Sequence, residues 1–175
     1  ELLKGWRSTD GRQPNAVRHT DTTLAEVVHE AVKLTRPTCE SADITLHVAV
    51  AGDAMDEPCG PLYPVIVNGL RNAVEAIVAG GHIELTAERQ GDRVELRITD
   101  TGPGIDQSLA RDSDGLIEAG ESTKGAGRGL GLAISRDIVR AMGGVIRLDN
   151  REDDLTGAVL LIRLPAAEFE ERAER

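Results

Sequence analysis

A run of glycines that leads into an apolar helical pattern is the feature that most constrains this chain. Glycine alternates with other residues from Gly125 to Gly131, and apolar residues then recur at helical spacing from Leu132 to Met142. Glycines leave consecutive backbone amides open to a ligand, and the amino-terminal end of a helix attracts phosphate oxygens. The run lacks the lysine-serine ending of a P-loop and lies outside a Rossmann unit. We therefore expect a phosphate-binding site in another fold.

The remaining pattern predicts one α+β domain with an aliphatic core, because the 175 residues include only one Trp, one Tyr and one Phe. Helical periodicity predicts a helix that is capped by Thr22 or Thr23 and ends near Pro37, and another from about Leu62 to Val78. Alternating apolar residues predict five strands: ITLHVAV at 44–50, HIELTAER and RVELRIT on either side of a Gly-Asp turn at 91–92, GVIRLDN at 144–150 and AVLLIRLP at 158–165. We interpret the last two strands, with Gly143 and Gly144 before them, as structural.

Charge and composition exclude several classes of function. The net charge is -10, with 30 acidic and 20 basic residues and no basic cluster along the sequence, so we expect no nucleic-acid partner. The two cysteines, Cys39 and Cys59, have neither metal-ligand spacing nor the number needed for a disulfide framework. No apolar run approaches the roughly 20 residues that span a bilayer. We expect a cytoplasmic piece of a longer protein, since the sequence begins at Glu1, and sensing or membrane-spanning parts could precede it.

Two further motifs carry polar groups at positions suited to a ligand. Asn68 and Asn72 are four residues apart and share one face of a predicted helix. Asp100 ends a predicted strand and is followed by Gly102 and Gly104, which allow the backbone to approach a ligand while the carboxylate accepts hydrogen bonds. Taken alone, such asparagines are more often exposed or capping amides, and such an acid-glycine segment is as often a simple turn.

Together and in this order, NxxxN, DxGxGI and GxGxGLGL resemble the N, G1 and G2 boxes of the gyrase, heat-shock chaperone, histidine kinase and MutL superfamily. The segment GLGLAISRDIVRAMGG is similar to that of two-component sensor kinases. The resemblance implies an α+β fold, the two-layer α/β sandwich of the Bergerat type. It would have a mixed sheet of about five strands, three main helices on one face and a long ATP lid. It also implies three parts: the end of a dimerisation helix and a linker at 1–20, the ATP-binding catalytic domain at 21–165, and a solvated acidic tail at 166–175.

The resemblance further implies roles for individual residues. Asn72 would offer its side-chain oxygen to Mg²⁺, Asn68 would orient the γ-phosphate or its acceptor, and Asp100 would accept a hydrogen bond from the adenine amino group. Asn68 and Lys124 are the catalytic candidates. The other candidates for ATP contact are Gly102, Gly104 and Ile105 beside the base, and Thr123, Lys124, Gly127, Arg128, Gly129, Leu130 and Gly131 around the triphosphate.

Asn68 decides the choice within the superfamily. Relatives that hydrolyse ATP have a glutamate here that activates water, whereas an amide cannot act as a base at neutral pH. The resemblance thus implies a protein-histidine kinase that transfers the γ-phosphoryl group to a histidine on an upstream dimerisation domain missing from this chain. The full-length protein would be a homodimer with a response regulator receiver domain as partner.

The sequence also departs from the sensor kinase pattern. Glu75 replaces a lysine, the lid segment at 115–121 has no Phe, and Ala158 and Val159 replace a Thr or Ser near the base. The pair His29-Glu30 is interpreted as a helix surface and not as the phosphoacceptor. Two alternatives stay open. One is an anti-sigma-factor-type serine kinase, which the linker at 1–20 argues against; the other is a non-catalytic nucleotide-binding module with an altered lid.

Overall fold

The computed structural model describes residues 22–78, 80–106, 130–152 and 155–167. Its elements in chain order are α1 (Leu24–Ser41), β1 (Ile44–Val50), a short 3-10 turn (Gly60–Leu62), α2 (Tyr63–Ala76), β2 (Gly81–Gln90), β3 (Arg93–Asp100), α3 (Leu130–Ala141), β4 (Val145–Asn150) and β5 (Ala158–Pro165). The five strands occupy the segments that alternation predicts. The long lid loop predicted at 101–125 is described only as far as residue 106, and residues 1–20 lie outside the described residues.

The strands form one mixed sheet in the order β1-β2-β3-β5-β4. Strands β1 and β2 are parallel, and the other three pairs are antiparallel. The three helices pack on one face, with α1 against β1, α2 against β3 and α3 against β4. This arrangement confirms the predicted two-layer α+β sandwich, and it brings the carboxyl end of β3 between α2 and α3.

Aliphatic side chains fill the space between the two layers. Ile66 and Leu70 of α2 are fully buried against Leu96 and Ile98 of β3, whose side chains point to the same face because they are two residues apart. Burying each such side chain contributes about 1.5–3 kcal/mol. Only one face of the sheet contacts the helices, so apolar and polar residues alternate along the strands.

Helix α1 begins where the sequence predicts and continues past the predicted end. Thr23 is its N-cap, and the capping box is complete because the Glu26 side chain accepts from the Thr23 backbone at 2.9 Å. The prediction that Pro37 ends the helix is wrong, since α1 runs to Ser41. Pro37 is exposed, so the carbonyl that loses its donor one turn earlier can bind water. The buried Cys39 then holds the last turn against the core.

Helix α2 ends slightly earlier than predicted. Its last residue is Ala76, and Ile77 is already extended with ψ 120°.

The residues that follow β5 are hydrogen-bonded to the domain. Ala166 donates to the Asp92 carbonyl at 2.8 Å, and Ala167 donates to the Glu57 side chain at 2.9 Å. These alanines are the first two residues of the predicted tail, and the rest of it lies outside the described residues. No helix in the described part of the chain is long and apolar enough to cross a membrane.

Candidate functional site

A cleft with apolar walls opens between α2, the ends of β3 and β5, and the start of α3. Ile98, Leu148 and Leu160 form part of its wall, with Asp100 and Asn72 as polar groups. The full lining is Gly69, Asn72, Ala73, Ala76, Ile98, Asp100, Gly104, Ile105, Asp106, Leu132, Leu148, Ala158 and Leu160. Apolar walls with a few directed polar groups suit a flat heterocycle that presents a hydrogen-bond donor to a carboxylate.

Asp100 lies at the floor of this cleft and is held in place by backbone donors. Its side chain is buried, with 6% of the residue exposed. One carboxylate oxygen accepts from the amide of Gly102 at 2.8 Å and from that of Ala158 at 3.3 Å. Hydrogen bonds to a carboxylate are among the stronger ones in proteins. The acid therefore connects the turn after β3 to the start of β5.

The two glycines after Asp100 are required by close contacts. A Cβ at position 102 would lie 2.9 Å from the Asp100 carboxylate and 3.0 Å from the Cβ of Ala76. Gly104 has φ +81°, a conformation that favours glycine, and a Cβ there would lie 2.5 Å from the Asn150 amide oxygen. The turn can pass along the cleft only without side chains at these positions.

Asn150 clamps this turn and was not identified from the sequence as part of the site. Its amide oxygen accepts from the Ile105 backbone N–H at 2.6 Å, and its amide nitrogen donates to the Ile105 carbonyl at 3.2 Å. One signal could have found it. Asn150 occupies the helix-facing register of β4, two residues after Leu148 and four after the buried Ile146, where an amide needs a partner.

We expect the substitution Asn150→Ala to weaken ATP binding by about tenfold, because two hydrogen bonds that order the cleft wall are lost. Isothermal titration with ATP measures the change. Asn150→Asp is the matched variant: it keeps the acceptor for the Ile105 amide but faces the Ile105 carbonyl with a second oxygen. It should also weaken binding. Unchanged affinity in both variants would show that the clamp does not shape the site.

The two asparagines of α2 have different surroundings. Asn72 lines the cleft. Asn68 is buried, with 9% exposed, and bridges two helices: its oxygen accepts from Arg71 at 2.7 Å and its nitrogen donates to the Ser135 hydroxyl at 3.2 Å. A Cβ at Gly131 would collide with the Asn68 amide. Asn68 and the start of α3 are therefore in direct contact.

Of the remaining candidate residues, some are described and others are not. Ile105 lines the cleft, and Leu130 begins α3, although its side chain is not described. Ala158 also lines the cleft, whereas Val159 points to the opposite face of the sheet. Thr123, Lys124, Gly127, Arg128 and Gly129 lie outside the described residues, and their roles stay predictions. His29 is exposed on α1, as expected of a helix surface.

Several sensor kinases are similar to this chain in sequence or in fold. The chain is 32% identical over 145 residues to the sensor histidine kinase ZraS of Escherichia coli (strain K12), covering 81% of this chain and 30% of ZraS. It superposes on the mycobacterial sensor histidine kinase MprB with a TM-score of 0.67 and 28% identity, covering 83% of this chain and 95% of that one. Full-length ShkA in complex with AMPPNP gives a TM-score of 0.70 and 29% identity, covering 84% of this chain and 31% of ShkA.

The chain is also 34% identical over 155 residues to the sensor protein KdpD of the same Escherichia coli strain, which covers 85% of this chain. It spans less than a third of the length of these curated relatives: 30% of ZraS and 17% of KdpD. Residues 60–168 match the family described as histidine kinase-, DNA gyrase B-, and HSP90-like ATPase. That range contains the cleft, Asn68, Asn72 and the Asp100 turn. The chain therefore belongs to this ATPase family, as an ATP-binding catalytic domain of the sensor histidine kinase type.

Proposed function

We propose that this domain transfers the γ-phosphoryl group of ATP to a histidine on a dimerisation domain elsewhere in the same protein. The observation that carries the proposal is the amide of Asn68, which is held between Arg71 of α2 and Ser135 of α3. An amide at this place supplies no general base for water. A neutral imidazole needs none, because its nitrogen already carries the lone pair that attacks phosphorus, and ADP then leaves.

The cleft supports ATP as the phosphoryl donor. A purine between Ile98 and Leu148 would place its amino group toward Asp100, and the triphosphate would then extend past Asn72 toward the start of α3. Backbone amides there favour negative charge. We propose that Thr123, Lys124, Gly127, Arg128, Gly129, Leu130 and Gly131 complete the triphosphate site.

We propose that Asn72 is the protein ligand of Mg²⁺. Mg²⁺ prefers oxygen ligands and commonly takes most of them from water and phosphate, so a single amide oxygen is sufficient. The described residues hold no cluster of three or more His, Cys, Asp or Glu side chains that could bind a metal. When bound, Mg²⁺ would neutralise phosphate charge during transfer.

We expect Asn72→Ala to raise the Mg²⁺ concentration that gives half-maximal ATP binding by about tenfold, because one ligand is lost. A titration of ATP affinity against Mg²⁺ measures this. Binding of adenosine, which has no phosphate, should stay unchanged and serves as the control. An equal loss of adenosine and ATP binding would instead place Asn72 against the base.

The kinase assignment is tested by restoring the acceptor. The domain is joined to its natural upstream region, or mixed with it, and incubated with ATP labelled at the γ-phosphate. Acid-labile phosphohistidine is the expected product, followed by transfer to a receiver domain of a response regulator. Acid-stable phosphoserine on a partner would support the serine kinase alternative. Normal ATP binding with no transfer to any acceptor would overturn the proposal and favour a non-catalytic module.

We propose that the acceptor helix docks on α3 beside an exposed isoleucine. Ile134 lies on α3, one helical turn after Leu130, and 56% of it is exposed. Such a side chain suits an apolar contact with an acceptor helix that approaches the phosphate end of the cleft. We also propose that the full-length protein is a homodimer.

We expect Ile134→Asp to reduce the rate of histidine phosphorylation by about tenfold while ATP affinity stays within twofold, because a charge would oppose an apolar contact. Phosphotransfer rates and ATP titrations are measured on the same preparations. Leu155→Asp changes another exposed aliphatic residue, 61% exposed, and is the matched control. A similar loss of transfer in both variants would argue against docking at Ile134.

A further inference from the structure

The face of the sheet that carries no helix has a cavity of its own. The cavity has a volume of about 470 Å³ and lies where β3, β5 and β4 meet the turns at 91–92 and 143–144. It is separate from the nucleotide cleft, which lies on the helix side of the same sheet. Its lining is Asp92, Arg93, Gly143, Gly144, Val145, Arg147, Leu161, Arg163, Leu164 and Pro165. We call this the arginine groove.

The groove alternates guanidinium groups with apolar side chains across three strands. Arg93 is paired with Pro165, Arg163 with Val145, and Arg147 with Leu161. Because paired residues lie on the same face of a sheet, each arginine has an apolar neighbour on the next strand. Val145 is 48% exposed, so part of this apolar floor is open to solvent.

A buried glutamate fixes the central arginine. Glu95 is 3% exposed and accepts from Arg163 at 2.6 Å and from Arg97 at 2.6 Å. Burial alone would raise the pKa of Glu95, but the hydrogen bonds and charges of the two arginines outweigh burial and lower this pKa. Glu95 therefore stays ionised and holds Arg163 in one orientation. A pre-ordered guanidinium loses less conformational freedom when it binds a ligand.

The charge of the groove is opposite to that of the chain. The lining has three arginines and one aspartate, Asp92, which lies 3.9 Å from Arg93. Glu95 is shared between Arg163 and Arg97, so four arginines face two carboxylates in and beside the groove, whereas the whole chain carries a net charge of -10. The field of so acidic a protein repels extended polyanions such as nucleic acid or an anionic membrane. A short segment that brings carboxylates to the guanidinium groups and apolar side chains to the floor between them fits both features.

We propose that the arginine groove binds an acidic peptide segment of a partner protein, in which carboxylates alternate with apolar side chains. Arg93 and Arg147 contact the carboxylates at the two ends, and Arg163 contacts one in the middle. The apolar side chains rest on Val145 and Leu161. This interaction does not depend on phosphoryl transfer and leaves the nucleotide cleft accessible.

The test uses a short labelled peptide that alternates glutamate and leucine, with the whole chain and fluorescence anisotropy at low salt. We expect saturable binding that weakens with added salt, and an affinity about tenfold lower for Arg147→Glu. The glutamine counterpart of the peptide should not bind. Lys33→Glu makes the same charge change on exposed α1 and should leave affinity unchanged. ATP binding by both variants confirms that they are folded.

Three results would each overturn the proposal. The first is no peptide binding up to millimolar concentration. The second is an equal loss of affinity in Lys33→Glu and Arg147→Glu, which would indicate net charge and no local site. The third is displacement of the peptide by a single-stranded oligonucleotide of similar or higher affinity, which would assign the groove to a different class of partner.

Discussion

Asp100→Asn should reduce ATP affinity by about a hundredfold while the domain stays folded. The asparagine oxygen can still accept from the amides of Gly102 and Ala158, so the turn keeps its internal contacts. In the proposed adenine position, however, the new amide nitrogen would face the adenine amino group, and two donors would meet. Loss of a charge-assisted hydrogen bond together with an unpaired buried donor costs about 2–3 kcal/mol.

The same variant should change base selectivity, which separates a specific contact from general damage. Inosine triphosphate carries an oxygen where adenine carries its amino group, so the new amide of Asp100→Asn can donate to it. We expect the ratio of ATP to inosine triphosphate affinity to fall by more than tenfold, as measured by competition titrations. Asp53→Asn in an exposed turn is the control and should change neither affinity. An unchanged ratio in Asp100→Asn would place the adenine amino group elsewhere.

The fold was largely predictable because its two layers leave separate periodic signals. Each strand buries one face, so β2 to β5 alternate clearly, and each helix buries one stripe. The error at Pro37 has a tertiary cause: the local preference of proline to end a helix is outweighed by the buried Cys39 beyond it. No local pattern contains that information, because the residues that bury Cys39 come from other elements.

Parts of the site whose contacts lie close together in the sequence could be predicted, whereas parts that depend on contacts between distant residues could not. The glycines after Asp100 stand next to the acid that they contact, and their spacing shows in the sequence. Asn150 contacts a backbone 45 residues away, and Asn68 reaches Ser135 across 67 residues. The arginine groove is a further case, since no basic cluster exists along the chain and the register of the strands assembles one.

Gly157→Ala is expected to lower the free energy of unfolding by more than about 3 kcal/mol. Gly157 has φ +141°, and a Cβ there would collide with the Asp100 carbonyl oxygen while lying 2.7 Å from the Arg151 side chain. The chain cannot move aside easily, because the Gly157 carbonyl accepts from the Arg151 amide at 3.1 Å and the next residue binds the Asp100 carboxylate. Thermal and urea unfolding measure the loss.

Two other glycines separate the contribution of backbone strain to this destabilisation from that of steric collision. Gly91 has φ +63° with open space around the Cβ position, so Gly91→Ala reports backbone strain alone, about 1 kcal/mol. Gly52 has neither a positive φ nor a neighbour within 4 Å, and Gly52→Ala should be neutral or slightly stabilising. The expected order of destabilisation is Gly157, then Gly91, then Gly52. If Gly157→Ala lowers the free energy of unfolding no more than Gly91→Ala does, β5 can shift away from Asp100 without losing stability. The close approach of these strands would then not fix Asp100 at the floor of the cleft.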